Sequence, residues 1–384
     1  MYKYALNVNA IPSLSFNISN IIKSIYGKNK KGFVLDLDNT LWGGIIGEDG
    51  VENIKIGHET SAGQVYSEFQ RYIKRHKQIG LVLNIDSKND LSNALSGLKH
   101  PDSELKPDDF VEIKANWEPK DKNFIEIANS LNLLPESLVF VDDNPAERHI
   151  ISEQIPGAST PDIGESHQYI VNIDRNGFFE VTYLSEDDLK RNSMYKENSL
   201  RAQAQARFSD YGEYLDSLEM KAVIKNFAPI YMDRIAQLTN KSNQFNLTTK
   251  RYSKAEIENL AKDPNYLTLY GKLEDKFGDN GVVSVCIGHL IDKICHIDLC
   301  LMSCRVLKRE LEYAMLDTLV EKCKVLGITE LRGYYYPTNK NSIVKDFFNN
   351  MGFYRISEDS DGSIWGLSIT EPYTKKNRHI KVEI

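Results

Sequence analysis

The sequence predicts an α/β protein in which a doubly wound parallel sheet is followed by a second α/β domain. Apolar segments that read as buried strands alternate with helical patterns from Phe33 to about residue 160. This alternation is typical of parallel strands joined by crossover helices. From about Leu218 several strands follow one another, and then helix, strand and helix. A length of 384 residues is also long for one core and fits two domains.

Turn-rich and charged stretches predict the domain bounds. We expect a lead-in over residues 1–30, the first domain over 31–160, a connector over 161–217, the second domain over 218–371 and a solvated tail over 372–384. Composition shifts of this kind are where compact domains usually begin and end.

The first domain carries two further local patterns. Gly43–Gly50 reads as a glycine-rich hairpin flap, and Gln64–Gln78 has apolar side chains at helical spacing. No stretch is long enough for an independent cap domain, so the predicted cap is minimal.

Composition excludes several classes of protein. The net charge of −7 and the pI near 5.7 argue against a general nucleic-acid binder. No apolar run approaches the roughly 20 residues of a membrane span, and the first residues do not form a signal peptide. All five cysteines lie in the second half without Cys-x-x-Cys spacing, which favours a cytoplasmic location and no zinc site.

Reactive side chains follow consecutive strands or begin the helix between them. Apolar runs end at Asp36 and Asp38, at Ser87, and at Asp142 and Asp143, while Lys120 begins the predicted helix Lys120–Leu131. Singly, these residues also suit a solvated turn, a helix cap or surface charge. Together they indicate a ligand crevice, since open α/β sheets bind ligands at the carboxyl ends of their strands. Neighbouring acids repel each other unless a cation or a phosphoryl substrate uses them.

This order of motifs resembles the four-motif signature of the haloacid dehalogenase superfamily of phosphotransferases. Longer segments are similar to its FkbH-like branch, which pairs a phosphatase domain with an acyltransferase-like domain of the GNAT arrangement. The similarity runs from about residue 30 to about residue 370. The segments that carry it are Asp36–Gly50 (DLDNTLWGGIIGEDG), Ala115–Lys120 (ANWEPK), Val141–Arg148 (VDDNPAER), Asn240–Thr249 (NKSNQFNLTT) and Ser303–Val306 (SCRV).

The resemblance implies a reaction that depends on Mg²⁺. Asp36 would accept the phosphoryl group, and Asp38 would act as general acid and then as general base. The magnesium ligands would be the Asp36 carboxylate, the main-chain carbonyl of Asp38 and the Asp142 carboxylate. Ser87 would bind a phosphate oxygen, and Lys120 would offset charge and orient Asp36.

Five further residues, which belong to or follow the second and fourth of these motifs, are predicted to bind substrate. Asp143 is also a candidate for an outer or alternate metal ligand. For the residues after Asp143, the other interpretation is that they cap the next helix and pair on its surface. The five are Lys88, Asn89, Asp143, Asn144 and Arg148.

The second domain departs from the resembled family in two places. FkbH-like proteins are associated with removing phosphate from 1,3-bisphosphoglycerate and passing the glyceryl unit, through a cysteine, to an acyl carrier protein. The strand position where that family usually has cysteine is Asp86 here, which leaves Cys304 as the candidate acyl carrier unless it is a structural cysteine. The segment Arg305–Glu310 also lacks both glycines of a coenzyme A pyrophosphate loop.

The leading hypothesis is therefore a Mg²⁺-dependent phosphatase or phosphotransferase that acts on a small phosphorylated metabolite. A narrower version adds glyceryl transfer to an acyl carrier protein. The alternative is a carrier-protein or partner-binding module with a non-catalytic GNAT-like platform. A simple coenzyme A-dependent acetyltransferase is the least favoured. No nucleic-acid or membrane partner is expected.

Overall fold

A computed structural model describes residues 6–182, 184–370 and 372–384 of the chain. The chain divides into two compact units, Met1–Ser199 and Leu200–Ile384. This division runs through residues predicted to be a connector, and it lies inside a helix.

The first unit is built on a sheet of four parallel strands. Their order across the sheet is β3-β2-β1-β4. β1 is buried along its whole length, as expected for a strand covered on both faces. Crossover helices α3, α4 and α5 connect successive strands, so the predicted doubly wound parallel sheet is confirmed. The elements are α1 (Ile11–Ile25), β1 (Gly32–Leu35), α2 (Ile46–Asp49), α3 (Ser61–Gln78), β2 (Val82–Lys88), α4 (Leu91–Leu98), β3 (Glu112–Asn116), α5 (Lys120–Ser130), β4 (Leu138–Val141), α6 (Pro145–Gln154), α7 (Tyr169–Asp174), α8 (Glu186–Leu189) and α9 (Arg191–Gln205).

The direction of winding changes at β1. β2 and β3 extend the sheet on one side of β1, and β4 is added on the other. The loops after β1 and β4 therefore diverge at a topological switch point, which is where open α/β sheets form their ligand crevice.

The segment Gly43–Gly50 is not the predicted hairpin. It contains the single helical turn α2, and only an isolated bridge joins Gly43 to Lys55. The Asp49 carboxylate accepts a hydrogen bond from the backbone N–H of Ile45 at 2.8 Å, and the Ile45 carbonyl accepts one from the N–H of Asp49. These bonds close a helical turn, and Ile46 is buried beneath it.

The second unit is built on a mixed sheet, which confirms the second α/β domain. The strand order is β11-β12-β10-β9-β8-β7-β5-β13, and β6 pairs with β9. α13 packs on one face of this sheet, and α11 with α12 packs on the other. The elements are α10 (Tyr211–Ser217), β5 (Lys221–Asn226), α11 (Met232–Lys241), β6 (Phe245–Asn246), α12 (Lys254–Leu260), β7 (Tyr266–Asp275), β8 (Gly278–Ile291), β9 (Ile294–Met302), α13 (Leu311–Val325), β10 (Glu330–Tyr335), α14 (Phe347–Asn350), β11 (Tyr354–Glu358), β12 (Ser363–Ser368) and β13 (Lys381–Glu383).

The end of the chain is not the predicted solvated tail. β13 pairs in parallel with β5. The buried Asp317 carboxylate on α13 accepts hydrogen bonds from the Tyr373 hydroxyl at 2.7 Å and from the backbone N–H groups of Lys376 and Asn377. A buried carboxylate with three donors is well satisfied, and it ties this segment to the unit. In the described part of the chain, no helix has the length and apolar character needed to cross a membrane.

Candidate active site

Three carboxylates meet at the switch point of the first sheet. Asp36 follows β1, and Asp142 and Asp143 follow β4, whose last residue is in register with the last residue of β1. One carboxylate oxygen from each acid lies within 4.8 Å of the others. The backbone N–H of Asp36 also donates to the carbonyl of Val141 at 2.9 Å, so the two strand ends are fixed together.

Lys120 places a positive charge beside two of these three acids. It is the first residue of α5, and its buried ammonium nitrogen lies 2.9 Å from Asp36 Oδ1 and 2.6 Å from Asp142 Oδ2. Burial alone would lower the pKa of Lys120, but these two carboxylates outweigh it and raise that pKa. The lysine is therefore charged, which allows the acids to approach each other.

The pKa values of the acids after β4 are raised. Burial is the main cause for Asp142, followed by the charge of Asp36, and its pKa is about 6. The pKa of Asp143 is raised for the same two reasons. A bound cation would offset both effects, because it favours the charged carboxylates.

Asp38 is held in one orientation by three donors. Its Oδ1 accepts from the indole N–H of Trp42 at 2.9 Å and from the backbone N–H of Ile46 at 3.0 Å. Its Oδ2 accepts from the side-chain amide of Asn89 at 2.9 Å. Burial still raises the pKa of Asp38, with Asp36 adding to the effect. A raised pKa is what a carboxyl group needs in order to donate a proton near neutral pH.

Trp42 links Asp38 to the packing of the loop after β1. Its ring is fully buried, and it lies against Gly97 of α4. A Cβ atom at Gly97 would come within 2.7 Å of the ring, so only glycine allows the helix to approach so closely. The loop after β1 therefore packs on α4 while the indole N–H faces Asp38.

Arg148 holds the loop after β4 in position. The Arg148 guanidinium donates to the main-chain carbonyls of Asp142 and Asp143 at 2.7 and 2.8 Å, and to Asp162 at 2.9 Å. Asn144 caps α6 by accepting from the N–H of Ala146. Asn144 therefore caps the next helix and Arg148 pairs on the surface, as the second interpretation of the sequence predicted. Arg148 also orients the main-chain carbonyls of Asp142 and Asp143.

The other predicted residues divide into two groups. Ser87 is buried at the end of β2, on the strand next to β1. Lys88 instead pairs with Glu147 on α6 at 2.6 Å, and Asn89 holds Asp38. The end of β2 and the residue after it thus contact α6 and Asp38, a role that the sequence did not indicate.

Thr40 is a contributor that the sequence interpretation missed. It is fully buried, and its hydroxyl accepts from the N–H of Asp143 at 3.1 Å and lies 3.4 Å from the Asp143 carboxylate. The signal that could have revealed it is its place in the loop after β1, directly beyond Asp38 and Asn39.

Asp86 is buried beneath the site in an unusual state. Its Oδ1 accepts from the Asn123 side chain at 3.0 Å, while Oδ2 has no hydrogen-bond partner among the described residues. Burial raises the pKa of Asp86 to about 8, although Lys120 opposes the shift. This shift favours the protonated form of the carboxyl group at neutral pH.

Replacing Asp86 by asparagine is expected to stabilise the protein, and more so as the pH rises. The native pKa near 8 exceeds the unfolded value of about 4, so the stability due to this group is lost between these pH values. A neutral amide at this position would avoid that loss, by an amount on the order of a few kcal/mol at pH 8. Melting temperatures with a chelator present, measured at pH 5 and pH 8, test this. A variant that is destabilised at pH 8 would contradict it.

In the second unit, the segment Arg305–Glu310 keeps a glycine-like backbone without glycine. Lys308 and Glu310 have φ values of 64° and 61°, in the left-handed region. Arg309 is buried against Asp275, which also pairs with Arg201. The side chain of Arg309 is therefore bound inside the unit, and Glu310 places a carboxylate directly before α13.

Cys304 differs from the other cysteines in exposure. It is partly exposed, whereas Cys286, Cys295, Cys300 and Cys323 are buried. Hydrogen bonds with the neighbouring thiols of Cys300 and Cys323, followed by burial, raise the pKa of Cys286 and Cys295 well above the usual value. Such thiols are poor nucleophiles.

No protein-family model and no curated protein matches the chain. Among solved structures, the chain is similar to the N-terminal part of the protein BF1531 from Bacteroides fragilis, described as containing a phosphatase domain complexed with Mg. The identity is 38% with a TM-score of 0.45, over 47% of this chain and 49% of that one. The chain thus spans about half the length of that structure.

Acetyltransferases also show similarity, at lower identity. The ribosomal-protein-S18-alanine N-acetyltransferase of Escherichia coli is 12% identical with a TM-score of 0.32, over 41% of this chain and 99% of that one. The PaiA N-acetyltransferase of Thermoplasma acidophilum, in complex with coenzyme A, is 16% identical with a TM-score of 0.29, over 38% of this chain and 99% of that one.

Proposed function

We propose that the first unit is a Mg²⁺-dependent phosphatase that acts on a small phosphorylated metabolite through an aspartyl-phosphate. The observation that carries this proposal is the cluster of Asp36, Asp142 and Asp143 around the ammonium group of Lys120. Two buried acids and one half-buried acid with a single lysine leave excess negative charge, which suits a cation. It also suits an anionic substrate that arrives with one.

The donor set fits magnesium. The three carboxylates supply oxygen atoms within 4.8 Å of one another, and oxygen is the ligand that Mg²⁺ prefers. We propose Asp36, Asp142 and the main-chain carbonyl of Asp38 as ligands, with Asp143 beside them. When bound, the ion supplies charge neutralisation for the phosphoryl group.

The remaining steps of the reaction are assigned to side chains of the first unit. Asp36 attacks phosphorus, the bond to the leaving oxygen breaks, and Asp38 gives that oxygen its proton. Asp38 then takes a proton from the water that hydrolyses the aspartyl-phosphate. Lys120 pairs with Asp36 at 2.9 Å and orients it, and Ser87 offers a hydroxyl to a phosphate oxygen.

The direct test is phosphate release from a panel of small phosphorylated metabolites, with Mg²⁺ and with excess chelator. We expect release in Mg²⁺ and almost none in chelator. Mg²⁺ should also raise the melting temperature, because it binds the native state alone. Equal release in both conditions would contradict the proposal.

A narrower function is glyceryl transfer from 1,3-bisphosphoglycerate to an acyl carrier protein. The partial exposure of Cys304 is the observation that favours it, because an acyl-carrying thiol must be accessible. After incubation with the donor, intact-mass measurement is expected to show one glyceryl adduct, which Cys304→Ser removes. A serine variant that keeps the adduct would contradict the assignment.

A further inference from the structure

Trp117 is an exposed aromatic side chain at the edge of the sheet that carries the proposed site. It follows β3, and 71% of its surface is exposed. Isolated exposed apolar residues are ordinary on protein surfaces. Trp117 differs because both its ring and its backbone are fixed.

The ring is held through its polar edge. The indole N–H donates to the Asp90 carboxylate at 3.0 Å. The backbone on either side is fixed by Asn116, whose side-chain oxygen accepts from the N–H of Glu118 at 3.0 Å and from Asn123 at 2.9 Å. An exposed ring with this support is pre-organised, so little conformational entropy is lost when a ligand stacks on it.

The same loop that holds the ring also holds the proposed general acid. Asn89 donates to Asp38, and the next residue, Asp90, accepts from Trp117. β3 is separated from β1 only by β2. Asn116, the last residue of β3, is in register with Lys88 of β2, which directly precedes Asn89. Adjacent residues of one loop therefore hold the Asp38 carboxylate and the ring, and the ring lies on the β3 side of the proposed site.

We infer that Trp117 is a specificity-determining residue, and that the substrate is a phosphate monoester whose leaving group carries a ring with a flat apolar face. This inference rests on the proposed phosphatase function. Aromatic faces favour offset stacking with such rings. A three-carbon acyl phosphate has no such face, so the inference favours the general phosphatase over glyceryl transfer.

The test compares two probes, 4-methylumbelliferyl phosphate and acetyl phosphate, in the full chain with Mg²⁺. For Trp117→Ala we expect the ratio of kcat/KM for the aryl ester to that for acetyl phosphate to fall about 10-fold, through KM rather than kcat. Trp117→Phe, which keeps a ring, should recover most of this ratio. Ile150→Ala, at an exposed apolar position on α6, is the matched control and should leave the ratio unchanged.

Each outcome decides the inference. An unchanged ratio in Trp117→Ala, or a change carried by kcat, would overturn it. A wild-type protein that releases phosphate from acetyl phosphate but not from the aryl ester would also overturn it, while the proposed function would stand. Release that depends on neither Mg²⁺ nor Asp36 would show that the proposed function itself has failed.

Discussion

Replacing Asp36 by asparagine is expected to reduce Mg²⁺-dependent phosphate release about 1,000-fold or more. The amide removes the attacking oxygen anion and one of the proposed metal ligands at once. The backbone should change little, because the N–H of Asp36 bonds to the Val141 carbonyl and asparagine has almost the same shape. Steady-state release of phosphate, measured with the best substrate of the panel, checks this.

The matched control for this change is Glu126→Gln. Glu126 is an exposed carboxylate on α5 that pairs with Lys114 at 2.7 Å, away from the three acids. Glu126→Gln also exchanges a carboxylate for an amide, so this variant makes the same chemical change outside the site. Comparable turnover by Asp36→Asn and by the control would contradict the role given to Asp36.

Replacing Lys120 by methionine is expected to destabilise the protein by about 3–5 kcal/mol at neutral pH. Methionine preserves much of the side-chain length but leaves Asp36 and Asp142 without their shared counter-charge. Breaking a buried ion pair by removing one partner is far more harmful than replacing both. Denaturant unfolding at constant m-value measures the loss. Phosphate release should also be abolished.

The loss of stability in Lys120→Met is expected to increase with pH. Burial and Asp36 already raise the pKa of Asp142 to about 6, and removal of the ammonium group would raise it further. A raised carboxyl pKa means that stability is lost as the pH rises, so the destabilisation should grow above pH 6 and shrink below it. Mg²⁺ should restore part of it.

Lys122→Met is the matched control for Lys120→Met. Lys122 is two residues further along α5, and its exposed ammonium is 4.0 Å from Glu118. Surface pairs of this kind contribute about 0–1 kcal/mol. If the two lysine variants had equal stability, the buried ion-pair account of Lys120 would be wrong.

The sequence was sufficient for the first sheet because its signals are local. β1 and β4 are short continuous apolar runs followed at once by acids, and parallel strands buried on both faces require such runs. The convergence of Asp36 and Asp142 then follows from strand order. The start of α5 at Lys120 was also predicted, and the structure confirms it.

The features that the sequence did not indicate depend on side-chain contacts that only the folded chain brings together. The final segment is fixed by Asp317, more than fifty residues earlier in the chain. For Arg148 the sequence left substrate binding and surface pairing open, and only its contacts with the carbonyls of Asp142 and Asp143 decide between them. α11 is also hard to recognise in the sequence. It is short, it ends in the polar residues Asn240 and Lys241, and its apolar face is defined by packing on β8.

The most direct test is a crystal structure determined with Mg²⁺ and beryllium fluoride, a mimic of a phosphorylated carboxylate. The predicted result is one Mg²⁺ that touches the carboxylates of Asp36 and Asp142, with beryllium fluoride attached to Asp36 and facing Asp38. Mg²⁺ bound elsewhere, or beryllium fluoride attached to another carboxylate, would contradict the proposed site.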